Sequence, residues 1–158
     1  MMVEGTYAQE FKSSIAPSRL WKAGVLDVHV LAPKIASKFI ENVEVEGDGG
    51  VGTIKTFNFT AVVPRLRNVK NRVDVLDNEN LVYKYTLVEG RLNFKSNTHQ
   101  IKIEGSEDGG SVFKFSGEYI SIGDEEAAEA DAKACKEGHL NMFKGVEAYL
   151  LDNPNANA

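Results

Sequence analysis

The sequence predicts an α+β domain, an antiparallel sheet with helices on one side of it. Three observations lead there. Period-two alternation of apolar and polar residues dominates from residue 40 to about 120. Clusters of glycine and asparagine interrupt it at short intervals, as hairpin turns do. The chain then closes on one long amphipathic segment. At 158 residues the chain fits one domain spanning 1–158. A domain of that length buries roughly 70% of its unfolded surface, so it needs neither disulfide nor metal to fold.

The first strand is expected over residues 3–12, with Val3, Tyr7 and Phe11 on one parity. Pro17, Leu20, Trp21 and Val25 then have helical spacing, and proline suits a first helical turn. Gly24 is expected to break that helix, and Pro33 to limit a second one over about 27–37. Strands follow at 40–46, 53–60, 66–76 and 81–89, where Leu81, Tyr83, Tyr85 and Leu87 alternate with Val82, Lys84, Thr86 and Val88. A turn near 93–97 leads to His99, Ile101 and Ile103, and Gly109-Gly110 leads to Phe113, Phe115, Gly117 and Tyr119. The result is six or seven strands with one wet and one apolar face. The last helix is expected over 124–151, acidic at its start, with Cys135, Gly138, Met142, Phe143, Val146, Tyr149 and Leu150 along its apolar stripe.

Composition excludes several function classes. The chain is 42% apolar and 26% charged, ordinary for a folded globular protein. A net charge of −5 argues against an electrostatic nucleic-acid binder. The lone Cys135 cannot form an internal disulfide, so a reducing, cytoplasmic location is expected. No apolar run approaches the ~18 residues of a membrane span, and no secretory leader is visible. Three scattered histidines and one cysteine show no metal-ligand spacing, so no metal or other cofactor is expected.

Two features of the core stand out. The inward parity carries aromatics with polar tips (Tyr83, Tyr85, Tyr119) beside His99, and the helix stripe has Cys135 and Gly138 where Leu or Ile would fill space. Periodicity is compatible both with a solid core and with an apolar pocket holding a few polar handles. Gly47, Gly49, Gly50 and Gly52 within six positions form either an elaborate hairpin turn or an anion-binding nest. A nucleotide P-loop is excluded, because Lys55 falls three positions after the last glycine and inside a strand.

The segment Glu46-Gly47-Asp48-Gly49-Gly50-Val51-Gly52-Thr53-Ile54-Lys55 resembles the glycine-rich loop of the plant intracellular pathogenesis-related proteins of class ten, the family of the major birch pollen allergen. Ala16-Pro17-Ser18-Arg19-Leu20-Trp21-Lys22-Ala23, Val69-Lys70-Asn71-Arg72-Val73-Asp74, Tyr83-Lys84-Tyr85-Thr86-Leu87-Val88-Glu89-Gly90 and Val146-Glu147-Ala148-Tyr149-Leu150-Leu151 follow in the family's order and spacing. The resemblance covers essentially the whole chain. It implies a START-like helix-grip fold: a curved seven-stranded antiparallel sheet around a long C-terminal helix, with two short helices and a large internal cavity. It also implies a monomer binding small amphipathic metabolites such as flavonoids, other phenolics, cytokinins or sterol-like molecules, in storage, transport or defence.

The cavity lining implied by the resemblance is Leu26, Ile40, Phe57, Phe59, Leu66, Tyr83, Tyr85, His99, Ile101, Phe115 and Tyr119, with Cys135, Gly138, His139 and Met142 completing it from the long helix. Tyr83 and Tyr85 are the candidates to hydrogen-bond a ligand, since a buried phenol needs a partner. Departures from the family pattern at Gly24 and Ala32, with Gly138, imply a larger pocket or a wider entrance. The segment 91–100 is shorter than usual and lacks the expected acidic residue.

Two enzymatic readings accompany the binding one. Ribonuclease activity, ascribed to the family, maps to Lys55, Glu147 and Tyr149, but helical phase turns Glu147 outward. Some relatives condense or cyclise specialised metabolites, for which His99, His139, Tyr83 and Tyr85 are the available acid–base groups here and Cys135 a weaker one. None of these forms a readable dyad, so no catalytic residue is assigned.

Overall fold

A computed structural model describes residues 2–157. Seven strands form one antiparallel sheet: β1 (Glu4–Ser13), β2 (Ile40–Glu46), β3 (Ile54–Phe59), β4 (Asn68–Asp77), β5 (Val82–Glu89), β6 (Phe94–Gly105) and β7 (Ser111–Ser121). Their spatial order is β1-β7-β6-β5-β4-β3-β2, so every neighbour except β1–β7 is a sequential hairpin. Short helices α1 (Pro17–Trp21) and α2 (Val28–Ile35) lie between β1 and β2, and a long α3 (Glu125–Asp152) follows β7. Register shifts in the β2–β3, β4–β5 and β6–β7 ladders bend and twist the sheet, which closes partly around α3.

The helix ends follow from local chemistry. Pro17 occupies the first position of α1, where its missing N–H loses nothing. The Asp124 carboxylate caps α3 by accepting from the Glu126 and Ala127 amides at 2.9 and 3.2 Å. At the other end Arg19 donates to the carbonyls of Asn153 (3.1 Å) and Ala156 (2.9 Å), tying α1 to the exit of α3.

Two expectations are corrected. Gly24 does not break the first helix. The chain continues from α1 into a π-helical turn, Lys22–Leu26, closed by the Asp27 amide on the Lys22 carbonyl at 2.8 Å. Gly24 does not enlarge a pocket either, because the Phe143 ring from α3 fills the space a Cβ would take. The polar run at 93–97 is also mostly not a turn. β6 already starts at Phe94, and the reversal is completed by Gly90 (φ +79°) and Leu92 (φ +51°). Asn97 reads as a turn residue in the sequence, yet it is wholly buried and accepts a hydrogen bond from the Tyr7 hydroxyl.

Helix α3 packs chiefly against β1 and β7, and α2 against β2. Phe143 stacks on Phe113 at 4.0 Å, while Val146 and Leu150 complete a core with Leu20, Trp21 and Val25. A second cluster, Val28, Ala32 and Ile40, gathers Phe57, Phe59 and Met142 around it. Gly24→Ala should therefore push the Phe143 ring out of its stack and lower stability by about 1–3 kcal/mol. Urea unfolding of the variant beside the parent chain would measure that loss.

Candidate ligand-binding site

Three groups of side chains hold the buried polar atoms around the concave face and α3, and they differ in how fully they are satisfied. The first lies beneath the middle of α3, where Tyr7, Tyr85, His99, Phe115 and His139 pack ring on ring. His139 stacks on Phe115 at 4.0 Å, and His99 meets Tyr85 edge-on at 5.0 Å. His139 Nδ1 bonds the Cys135 carbonyl one turn back, at 2.8 Å. The carbonyl can only accept, so Nδ1 carries the proton and Nε2 accepts from the Tyr85 hydroxyl. Similarly, Tyr7 donates to Asn97 Oδ1 and receives the Nε2–H of His99.

Burial governs the titration of this cluster. It pushes the Tyr7 and Tyr85 phenols well above their ordinary range and holds His99 well below its own. His139 falls to about 4, and the Cys135 thiol rises to about 11, both chiefly through burial. At neutral pH the cluster is therefore a set of neutral groups bonded to one another. The unpartnered buried atoms in it are Asn97 Nδ2 and His99 Nδ1.

The second group surrounds an open pocket of about 350 Å³ beside the glycine-rich loop, lined by Leu26, His29, Val45, Gly47, Asp48, Gly49, Gly50, Lys55 and Leu76. That volume is at the lower end of the range for small-molecule sites. Lys55, on β3, is 5% exposed. Its Nζ lies 3.5 Å from the Val25 carbonyl and 5.0 Å from the centre of the Tyr83 ring. Among the described residues no carboxylate pairs with it, and burial lowers its pKa to about 8. Tyr83 is buried too, its phenol raised by desolvation, and no described residue hydrogen-bonds its hydroxyl.

The loop beside this pocket is a self-satisfied turn. Gly47, Gly49 and Gly52 take φ of +126°, +94° and +92°, which only glycine adopts readily. The Gly49 amide donates to Thr53 Oγ1, Gly50 to Asp48 Oδ1 and Gly52 to the Val73 carbonyl, at 2.8–2.9 Å. With those amides engaged, the loop shapes the pocket rim and leaves no row of free N–H groups for an anion.

The structure brings Leu26, Gly47, Gly49, Gly50 and Lys55 together at the pocket, with Tyr83 under Lys55. Tyr85, His99, Phe115, Cys135 and His139 meet in the ring cluster, and Tyr119 packs at its edge against Phe94 and Tyr7. Ile40, Phe57, Phe59 and Met142 form the separate α2 cluster, Ile101 is buried in the main core, and Leu66 is half-buried in the β3–β4 loop. Gly138 is exposed, with no atom within 4 Å of where its Cβ would be.

Sequence reasoning missed a third group. Asp131, 3% exposed on α3, accepts from Arg65 at 2.9 Å and from the Asn93 side chain at 2.8 Å, joining the β3–β4 and β5–β6 loops to the helix. It reads as one more acid near a helix start. Its spacing from Ala128, Ala132 and Cys135 was the available signal that it faces inward.

This geometry has a family context. The model of the pathogenesis-related protein Bet v 1 family matches residues 2–153. The chain belongs to the Bet v 1 family. It is 45% identical over 155 residues to the major allergen Pru ar 1 of Prunus armeniaca, covering 96% of each chain. The crystal structure of Ara h 8.0201 superposes with a TM-score of 0.79 at 29% identity, covering 96% of this chain and all of that one. Norcoclaurine synthase from Thalictrum flavum reaches 0.79 at 22% identity, over 96% and 89% of the two chains, a likeness of fold. Bet v 1 family proteins bind small ligands in a hydrophobic cavity. No helix among the described residues is long and apolar enough to cross a membrane.

Two outcomes follow from this arrangement. Asp131→Ala removes the acceptor shared by Arg65 and Asn93 and should lower stability by about 1–3 kcal/mol, and Arg65→Ala, which leaves the buried carboxylate without its cation, should cost about as much by urea unfolding. His139 titrates near 4 when folded and near 6.5 when unfolded. Between those values the unfolded chain holds more protons, so stability should fall as pH drops from about 6.5 towards 4. His99, also held well below its ordinary value, adds to the same slope, so His139→Gln should reduce it without abolishing it in unfolding curves taken at pH 7 and 4.5.

Proposed function

We propose that this protein binds small amphipathic plant metabolites in its interior and stores or carries them inside the cell, as a single ligand-binding domain over 1–158 acting as a monomer. The carrying observation is the open pocket beside the glycine-rich loop, where apolar side chains (Leu26, Val45, Leu76) adjoin the buried amine of Lys55, which has no carboxylate partner among the described residues and lies over the Tyr83 ring. A planar phenolic, a flavonoid or a cytokinin supplies both kinds of contact: apolar area to bury, and hydroxyl or ring nitrogen groups to meet Tyr83 and Lys55. Tyr85 is less available, because its proton is already directed at His139. The wider lining implied by the family, with Phe57, Phe59 and Met142, extends the same proposal to bulkier sterol-like ligands. Membership in a pathogenesis-related family supports a role in defence, and the free Cys135 supports a reducing compartment.

Catalysis has weaker support. Tyr85 and His139 are bonded to each other, and the two histidines are neutral core groups. Among the described residues no hydrogen bond or ion pair joins Lys55 to Glu147 or Tyr149, the set a ribonuclease would need.

An environment-sensitive apolar dye should bind saturably, and a panel of flavonoids, phenolic acids, cytokinins and sterols should displace it. Tyr83→Phe should weaken hydroxylated competitors about 3- to 10-fold, the worth of one hydrogen bond, and leave competitors without hydroxyls unchanged. Absence of saturable dye binding would overturn the proposal.

A further inference from the structure

Lys55 has a combination of properties that a noncovalent pocket does not require. A lysine on the inner face of a sheet ordinarily escapes to water or pairs with a carboxylate, because an unpaired buried ammonium is costly. Lys55 does neither. One carbonyl and one aromatic face are what the surrounding elements offer a positive charge, with no carboxylate paired to it among the described residues. The π-helical turn contributes only the Val25 carbonyl, at 3.5 Å, and β5 contributes the face of Tyr83. From α2 comes the imidazole of His29, and from β4 the apolar Leu76. Asp48 is the acid of the pocket lining, and its Oδ1 is taken by the Gly50 amide at 2.8 Å. Asp74 on β4 pairs with Arg72 at 2.9 Å. The amine nevertheless lines a cavity large enough for a small molecule.

We propose that Lys55 is a covalent capture site, its Nζ forming a reversible imine with an aromatic or other apolar aldehyde seated in the pocket. The inference rests on the ligand-binding reading of the same pocket and names the class of ligand that would be held most firmly. The neutral amine attacks the carbonyl carbon and forms the C–N bond, and a proton passes from nitrogen to oxygen to give the carbinolamine. Loss of that hydroxyl with a proton, as water, leaves the C=N bond. The atoms balance without oxidant or reductant, and water reverses the step. Burial assists at the start, since with a pKa near 8 the neutral amine is on the order of a hundredfold more populated at pH 7.5 than on an ordinary lysine. The apolar lining of Leu26, Val45 and Leu76 selects an apolar aldehyde over a hydrated or charged one.

The test treats the full chain with 4-methoxybenzaldehyde and sodium cyanoborohydride, which reduces the imine to a stable secondary amine, and locates the label by peptide mass mapping. Dye binding is measured on the same sample. At pH 7.5 the label should enter Lys55 at least tenfold faster than the exposed Lys12 and Lys22, with a rate whose pH midpoint lies near 8. Prior saturation with the dye should slow labelling at Lys55 alone, and Lys55→Arg should abolish the fast phase. Saturable dye binding with label spread evenly over surface lysines would overturn the covalent site and leave the binding function intact. Even labelling with no dye binding would overturn both.

Discussion

The constraint that organises this molecule is one of width. Seven strands at about 4.8 Å each make a sheet about 29 Å across, while a helix with its side chains is about 10–12 Å wide. One helix can cover two or three strands. Here α3 takes β1 and β7, and α2 takes the opposite edge at β2. Neither α2 nor α3 lies close along the strands between them, β3 to β5, where contact comes from individual side chains: Tyr85 reaches His139, and Phe57 and Phe59 join the α2 cluster. Curvature narrows that gap without closing it, and the glycine-rich loop and the π-helical turn form its rim. The pocket is therefore what remains when a sheet this wide is covered by helices this few.

The same division explains why polar groups on the concave face behave in two ways. Under α3 the contact is close, and burial keeps the tyrosines, histidines and cysteine of the ring cluster neutral. His139 is fixed by the Cys135 carbonyl and by Tyr85, and Tyr7 lies between Asn97 and His99. These bonds pair the buried polar atoms of the cluster except Asn97 Nδ2 and His99 Nδ1, much as a packed interior demands. Beyond the reach of α3 no carboxylate among the described residues pairs Lys55, whose contacts are the Val25 carbonyl and the Tyr83 ring, and no described residue hydrogen-bonds the Tyr83 hydroxyl. The difference lies in coverage, since both regions draw on the same residue types from neighbouring strands.

Much of this was legible in the sequence because period-two patterning fixes which face each strand turns inward. Tyr83, Tyr85, Ile101, Phe113 and Phe115 could be placed on the concave face from alternation alone, and the start of α3 from its acidic first turns. What failed were residues whose role is set by a distant partner. Gly24 reads as a breaker until Phe143 is seen filling its place, Asn97 as a turn residue until Tyr7 reaches it, and Asp131 as a dipole-friendly acid until Arg65 and Asn93 converge on it. Each is a contact between elements far apart in the chain, which no local pattern encodes. The division of the predicted lining into an open pocket, a closed ring cluster and the α2 cluster is a further case, since it depends on where the helices come to rest.

The glycine-rich loop shows how a conspicuous motif can act indirectly. Its density of glycine suggests a ligand grip, yet the amides of Gly49, Gly50 and Gly52 are consumed by Thr53, Asp48 and Val73. What the glycines permit is a tight, left-handed path that returns the chain at Thr53 so that Lys55 enters β3 facing inward, opposite Asn71. A looser turn that slipped the register by one residue would exchange the faces of β3, sending Lys55 to solvent and Ile54 and Thr56 inward. The motif then contributes through register and rim shape, and the chemistry offered to a ligand comes from the strands it aligns.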